Sequence, residues 1–464
     1  MTTTTVVWLR DDLRLADNPA LRHAADDGDV VVLYVLDERS DGVRPLGGAA
    51  RWWLHHSLRA LAAAVHDAGA RLVLRRGAAV DVVPAVVTDA RADAVVWNRR
   101  YGGSEREIDA AIKAWAGEHA VEAHSFAANL LHEPWTITTG AGGPFRVYSP
   151  FLRACRRAEE PRDPVPAVHR LSGPDVASDD LGDWGLHPTA PDWSAGLAAQ
   201  WEPGEAGAGR RLADFVDGIL AGYDTSRERP GVEGTSRLSP HLRFGEISPF
   251  QVRAAVAGAS PREDRDAFLA EIHWREFNWH LLYAQPDLAT VNHRAKFDGM
   301  PWRHAPADLR AWQRGRTGYP LVDAGIRQLW QTGWMHNRVR MITASFLIKN
   351  LLLDWRAGEQ WFWDTLVDAD AANNPANWQW AAGSGADAFP YVRVFNPVTQ
   401  ARKFDADGDY ITRFVPELAG RSGSALHEPW GDDPPPDYPA PMIDLKDTRR
   451  RALDAYAAIG ASGR

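Results

Sequence analysis

One cysteine, Cys155, stands in a chain of 464 residues. A lone thiol cannot close a disulfide within the chain, build a cysteine zinc cage or hold an iron–sulfur cluster. Basic charge is in deficit. The 52 Lys and Arg face 61 Asp and Glu, a net charge of −9, which argues against a general nucleic-acid coat and leaves room for a local basic groove. No window approaches the roughly 18 apolar residues of a membrane span. The opening MTTTTVVWLRDDLR has a short apolar run broken at once by charge, so no signal peptide and a cytoplasmic location are expected. No G-x-G-x-x-G follows the first apolar strand, which runs into WLRDDLR; a standard dinucleotide site is not expected there. No Ser/His/Asp grouping offers a nucleophile, and no second carboxylate cluster completes a Mg²⁺ or Ca²⁺ shell.

What is there in excess is tryptophan: 21 Trp against 15 Phe and 10 Tyr. Core packing accounts for part of this, and a site is expected to claim the rest. The length implies two or three domains. Val6–Leu9, Val30–Leu36, Arg71–Leu74, Ala94–Trp97 and Val121–Phe126 read as apolar strands alternating with helices, which predicts an N-terminal doubly wound parallel five-stranded sheet over residues 1–130. Asn18 and Pro19 predict a helix start, and Gly69 a helix stop. Residues 131–204 predict an interdomain connector, richest in Pro, Gly and Asp from 160 to 200. Helical periods dominate residues 205–464, including the long stretch 320–355, and predict an all-α domain.

Four stretches could carry chemistry. In 222–249, Thr235, Ser236 and Ser239 gather hydroxyls before Pro240; this suits phosphate binding at a helix start, or plain Ser-Pro capping. In 270–280, Glu271, Trp274 and Asn278 share a helix face beside Arg275; they could read and stack on a base, or form a half-buried helix with a Glu271–Arg275 pair. In 333–346, Asn337 and Met341 lie one turn apart within an apolar helix, flanked by Arg338 and Arg340, with His336 expected to be structural. In 368–380, Asp368 and Asp370 precede Asn374, Trp378 and Trp380; each Asp is expected to neutralise a buried Arg or to accept from a heterocyclic N–H. Phosphate donors, carboxylates, amides, arginines and indoles without a nucleophile suit a bound organic cofactor that does the chemistry.

The motifs WLRDDLRLADNPAL, TSRLSPHLRFGEISP, WREF, TGYPLVDAGIRQL, GWMHNRVRM, DWRAGEQWF and NWQWAAGSGADAFPYVRVFNP, in order from about Val6 to Tyr456, resemble the photolyase/cryptochrome family, and most of all its class I cyclobutane pyrimidine dimer photolyases. The resemblance implies a non-covalent FAD in the helical domain, active as FADH⁻. Tyr223, Thr235, Ser236, Arg237, Leu238, Ser239 and Arg275 would hold it, with Arg340, Asp368, Ala369 and Asp370 around the flavin and adenine–ribose groups. Arg340 would pair with Asp368, and Asn374 would face flavin N5, where plant cryptochromes carry Asp and animal ones Cys. The lesion pocket would comprise Glu271, Trp274, Asn278, Asn337, Met341 and Trp380, with Arg338 on a DNA phosphate. Enzymes for the (6-4) photoproduct carry His where Asn337 or Met341 stands here, so the cyclobutane dimer is the implied substrate. Trp378, Trp355 and Trp302 would form an electron-conducting wire.

The implied activity is light-driven: excited reduced FAD passes an electron to a dimer flipped out of UV-damaged DNA, a lesion cheap to extrude because it is poorly stacked. No metal is implied, and a monomer is expected. An antenna, 8-hydroxy-5-deazaflavin, is expected at Tyr34, Asp37 and Arg51. Methenyltetrahydrofolate is the alternative, weakened because Ser104 replaces the Asn of folate-binding members, while Arg100 replaces an acidic residue frequent in deazaflavin binders. The second functional reading is a cryptochrome-type blue-light receptor with the same FAD site and no repair; the short C-terminal tail favours the enzyme.

Overall fold

The computed structural model describes residues 3–388, 392–431 and 433–461. Contacts divide the chain into two compact units. The first comprises Met1–Phe145, Ser149–Gly218 and Ser236–Pro286; the second comprises Arg146–Tyr148, Ile219–Thr235 and Asp287–Arg464.

The first unit is built on five parallel strands, β1 (Thr3–Leu9), β2 (Gly28–Leu36), β3 (Leu72–Arg76), β4 (Ala94–Asn98) and β5 (Glu122–Phe126), in the order β3-β2-β1-β4-β5. The helices α1 (Pro19–Asp27), α2 (Gly48–Asp67), α3 (Ala79–Ala90) and α4 (Gly103–Glu118) alternate with them. Both sheet faces are covered, so the strands can be apolar throughout. Trp8, Leu33, Val73 and Val95 pack with Val83 and Val87 of α3 and Ile112 of α4. Asn18 caps α1 by accepting the Leu21 N–H at 3.1 Å, with Pro19 at the first helical position. The 160–200 segment is tied down along this unit: its backbone bonds Ala68 O, Val30 N and Leu74 O, and it buries Leu171, Val176 and Trp184.

The order reverses between β1 and β4, the place where an open parallel sheet tends to bind ligands. Here the turns after both strands are occupied by internal pairs. Arg10 donates to Asp109 at 2.7 Å, and the Asn98 amide donates to Asp12 at 2.6 Å.

The second unit is helical. Its core gathers Trp312, Phe346, Leu347, Trp355, Phe362, Trp378 and Tyr410. The stretch 320–355 is not one helix. Pro320–Thr332 ends at Gly333, whose φ of +66° suits a residue without Cβ. A second helix, Asn337–Ser345, starts under the His336 ring, which accepts the Arg338 N–H, and runs into a π-helical turn, Phe346–Asn350. Among the described residues, no helix is long and apolar enough to cross a membrane, and no group of three His, Cys, Asp or Glu side chains is disposed to hold a metal ion.

Candidate flavin and lesion site

In the second unit, Arg340 and Asp368 form a two-point ion pair, with N–O distances of 3.1 and 2.8 Å. The Arg340 Nε–H also donates to Met335 O at 2.7 Å, so the guanidinium plane is held from two sides. The Asp368 side chain is only 3% exposed. This is the neutralised carboxylate expected there. Asp370 does something else. It accepts the backbone N–H groups of Ala372 and Asn373 and the Asn373 amide, and so anchors the start of the helix Asn373–Ala382. Neither an arginine nor a heterocycle is needed to explain it. Ala369 is buried beside the pair.

Asn374 is buried on the first turn of that helix. Its amide nitrogen donates to the Glu359 carbonyl at 3.0 Å and to Glu359 Oε1 at 2.8 Å. Both partners are acceptors, so the nitrogen must be the atom facing them. No donor among the described residues reaches Asn374 Oδ1. The amide therefore presents a fixed, unspent acceptor. Glu359 was not foreseen. Its signal was available, because a carboxylate on an apolar tryptophan-lined helix, with Trp355 and Trp363 four residues away on either side, needs a partner.

Two of the three proposed wire residues lie in one buried cluster. Trp355 is fully buried at the start of the helix Trp355–Thr365, and its indole donates to Asn292 at 3.0 Å. Trp378 is 2% exposed, and its ring lies against Gly358, three residues along from Trp355. Arg303, the neighbour of Trp302, donates to Leu351 O and Leu352 O, which holds that segment beside the lead-in to Trp355. Trp302 is half-buried and packs against the same cluster. Trp312 was missed: it meets Trp378 edge-on with centroids 6.2 Å apart.

Met341 and Trp380 line one cavity of about 160 Å³. Asn337 stands exposed on the first residue of its helix, not inside an apolar helix, because the chain breaks at Gly333. Arg338 is engaged: it pairs with Glu228, lies 3.5 Å from Met341 Sδ and sits over the Phe404 ring. Tyr223 is buried, and Thr235 ends this unit's 219–235 segment. Of the motif NWQWAAGSGADAFPYVRVFNP, Phe389, Pro390 and Tyr391 lie outside the described residues.

In the first unit, Ser236, Arg237, Leu238 and Ser239 form the hydroxyl-rich turn. Arg237 takes φ +51°, a left-handed backbone rare for a side-chain-bearing residue, as happens where a loop is shaped for a task. The Ser236 hydroxyl accepts the Leu238 N–H at 3.4 Å. The helix that follows, Ser239–Arg243, has only five residues, so its dipole adds little. Glu271, Trp274, Arg275 and Asn278 all lie on the helix Arg262–Ala284. Arg275 bonds Asn129 O at 2.8 Å and approaches Glu276 at 3.5 Å, so its ion pair runs to its chain neighbour. Trp274 meets Phe277 edge-on.

At the C-terminal end of β2, Tyr34 lies under Trp184 with centroids 6.2 Å apart. Burial would raise the Asp37 carboxyl, but bonds from the Ser40 hydroxyl and from the Ala79, Ser40 and Arg39 amides outweigh it and lower the group. Asp37 thereby anchors the start of α3. Arg51 pairs with Glu38, which Arg76 also reaches. Arg100 pairs with Glu105 and Asp109, and Ser104 donates to Gly42 O. Asp37 and Arg51 are thus bound to neighbours within the unit.

Residues 5–169 match the family described as DNA photolyase, and residues 268–458 match the FAD binding domain of DNA photolyase. The chain is 49% identical to a deoxyribodipyrimidine photo-lyase of Agrobacterium fabrum over 98% of both chains. A bacterial class III photolyase from Agrobacterium tumefaciens superposes with a TM-score of 0.96 at 48% identity, over 99% of this chain and 98% of that one. The class I expectation draws no support from that neighbour. An archaeal photolyase from Sulfolobus tokodaii, solved with two FAD molecules, superposes at 0.84 and 29% identity, over 98% of this chain and 100% of that one. Motifs, site geometry and whole-chain likeness converge: the chain belongs to the DNA photolyase family.

Proposed function

We propose that this protein is a light-driven DNA repair enzyme that binds FAD and reopens cyclobutane pyrimidine dimers. The observation that carries the reading is the Asn374 amide. Its nitrogen is committed to Glu359, which leaves Oδ1 as an acceptor with no described donor. A reduced flavin carries an N–H that such an acceptor fits. Arg340 with Asp368 supplies a fixed, neutral pair of donors and acceptors in the same unit, and Tyr223 and Thr235 belong to that unit's binding set. When bound, the reduced flavin supplies the chemistry, a photoexcited one-electron donation that opens the dimer ring and takes the electron back.

The remaining work falls to the chain. Asn374 holds a proton donor at one place. Trp378 and Trp355 are buried and Trp302 is half-buried, three readily oxidised rings suited to reducing an oxidised cofactor to its active state, a step that repair itself does not consume. Met341 and Trp380 present an apolar wall to an uncharged pyrimidine dimer, a lesion poorly stacked in its strand. In the first unit, the turn 236–239 offers hydroxyls and Arg237 to a phosphate, and Glu271, Trp274 and Asn278 offer a polar edge and a stacking face. The test is direct: FAD-loaded protein under near-ultraviolet light restores oligonucleotides that carry a thymine dimer. Fully reduced protein that binds the dimer and never repairs it would establish the receptor reading instead.

For the antenna, we propose 8-hydroxy-5-deazaflavin at Tyr34, Asp37 and Arg51, supported by the place of Tyr34 and Asp37 at the C-terminal end of β2, with Arg51 on the first turn of the helix that follows. The absorption spectrum of chromophores extracted from the native protein decides between this ligand, a folate and a second flavin.

A further inference from the structure

The fully buried indole of Trp355 has one hydrogen-bond partner among the described residues, Asn292 Oδ1 at 3.0 Å. The Asn292 amide nitrogen donates in turn to Asp298 Oδ1 at 2.7 Å. An ionised carboxylate only accepts, so this second bond fixes which end of the amide faces the indole. The chain of bonds runs outward: Trp355 and Asn292 are buried, and Asp298 is exposed on the short helical turn Ala295–Gly299.

The segment 288–293 that carries Asn292 is held by the neighbours of two wire residues. Gln379, next in the chain to Trp378 and fully buried, donates to Leu288 O at 2.7 Å and Val291 O at 2.9 Å, and accepts the His293 N–H at 2.8 Å. Arg356, next to Trp355, donates to Thr290 O at 2.7 Å. Packing explains a fixed loop. It does not explain the choice of acceptor. Elsewhere in this chain buried indoles donate straight to carboxylates: Trp53 to Glu246 and Trp97 to Asp109, both at 2.9 Å. At Trp355 the acid stands one hydrogen bond further back, behind an amide.

That difference matters for a ring that gives up an electron. Oxidation turns an indole N–H into an acid of carboxylic strength. A carboxylate in contact would take the proton, whereas an amide oxygen is far too weak a base to keep it. Loss of the proton leaves a neutral radical, which an electron alone cannot restore. Asp298 polarises the amide from behind and so favours positive charge on the ring without receiving its proton. The other charges at the ring offset each other: Arg356 lies over its face at 4.6 Å and is paired with Asp354 at 3.2 Å.

We propose that Asn292, with Asp298 behind it, is a positioning device that keeps the proton on Trp355 while an electron passes, an inference that rests on the wire in the reading above. One electron leaves Trp355 to refill oxidised Trp378, and Trp355 becomes a radical cation. One electron from Trp302 restores it, and no N–H bond breaks at Trp355.

FAD-loaded full-length protein is followed by transient absorption after a blue flash, in a Trp302→Phe background where the wire ends at Trp355. The radical should show the longer-wavelength band of an indole cation. Asn292→Asp combined with Asp298→Asn keeps the net charge, permits the same two hydrogen bonds and sets the carboxylate against the indole. The cation band should then give way to the shorter-wavelength band of the neutral radical. Asp298→Asn alone, at an exposed position, should keep the cation band at lower yield, and with the Trp302→Phe parent it decides the matter if the exchanged pair does not fold. In the dark, NMR should show the Trp355 indole N–H exchanging slowly with deuterium, and faster in Asn292→Ala; equal rates would remove the hydrogen bond on which the proposal stands. A neutral radical with Asn292 in place, a cation band that survives the exchanged pair, or a yield unmoved by Asp298→Asn overturns the proposal. A radical signal indifferent to Trp355→Phe takes Trp355 out of the wire and overturns it from the other side. Repair is judged separately, in chemically reduced wild type with a dimer-containing oligonucleotide: failure there removes the repair reading and leaves the radical bands to decide Asn292.

Discussion

Replacing Gly358 with alanine puts the packing of the buried tryptophans to a quantitative test. A Cβ there would lie 2.1 Å from Trp378 Cη2, 2.4 Å from its Cζ3 and 2.8 Å from Leu347 Cδ2. Carbon atoms settle about 3.5–4.0 Å apart, so the indole must retreat by roughly 1.5 Å. It has nowhere to go: Phe362 meets it at 4.9 Å and Trp312 at 6.2 Å, and the ring is 2% exposed. Overpacking of this kind costs about 1–3 kcal/mol, and alanine's helix preference returns about 1 kcal/mol. Taking the upper end for a rigid aromatic neighbour, Gly358→Ala should lose about 2 kcal/mol. Gly209→Ala is the control. It is exposed within the helix Glu205–Asp214, and its added Cβ meets nothing within 4 Å, so it should gain up to about 1 kcal/mol. Urea midpoints measure both, and the rate of flavin photoreduction in blue light with an external reductant should fall only in Gly358→Ala. If Gly358→Ala matches the control in stability and photoreduces at the wild-type rate, Trp378 is not held as described, and its place in the wire loses its geometric support.

Asn374→Asp sets a second carboxylate against buried Glu359 and should cost about 1–3 kcal/mol; adding Glu359→Gln should restore most of it, and a double-mutant cycle without coupling would remove Glu359 as the positioning partner. Arg340→Met removes the ion-pair partner of buried Asp368, a loss of about 3–5 kcal/mol by urea titration, whereas Arg340→Met with Asp368→Leu should recover much of it. Glu276 is fully buried, and burial raises its carboxyl to about 7. The folded state therefore holds its proton more tightly than the unfolded chain, and the stability this gives is present below about pH 4.5 and lost as pH rises through 7. Relative to the wild type, Glu276→Gln should gain about 3 kcal/mol between those limits and nothing further above them. His132 and His280, both pushed down to about 4 by burial, titrate in both proteins and cancel in the difference. A flat difference would place the shift elsewhere.

The sheet was legible because its central strands are buried on both faces. Each run predicted its strand to within three residues at either end; the central strands are apolar because both their faces are covered, while the edge strand β5, with Glu122, His124 and Ser125 and no buried residue, was placed by its position after a helix. The helical half was legible in kind and not in its breaks. Gly333 and the His336 cap stood in the sequence as a stop and a start, but the apolar period on both sides hid them, and Asn337 was read as an interior amide when it is an exposed first residue. Pairings across distance were legible only where resemblance supplied them. Arg340 and Asp368 are 28 residues apart, and Glu359 and Asn374 are 15 apart. No spacing rule links either pair: Arg340, inside one helix, meets Asp368 in a turn, and Glu359, mid-helix, meets Asn374 on the first turn of the next.

The tryptophans show why this site resists residue-by-residue reading. Trp330 and Trp361 stack almost parallel at 5.9 Å, yet Trp330 is 63% exposed. Trp378 is boxed by Phe362, Trp312 and Gly358. The indole is chemically the same in each case. What separates them is confinement: electron transfer needs a ring held at one distance and out of water, while a stack at the surface is free to breathe. A protein that delegates its bond-breaking to a cofactor needs no side chain of unusual reactivity. The residues proposed for its function are then ordinary groups in uncommon confinement: an amide with one end tied and a glycine where a ring must pass. Such confinement is a property of pairs of helices, so it emerges when the chain is folded, and substitutions that alter space while leaving chemistry untouched, as Gly358→Ala does, are the ones that expose it.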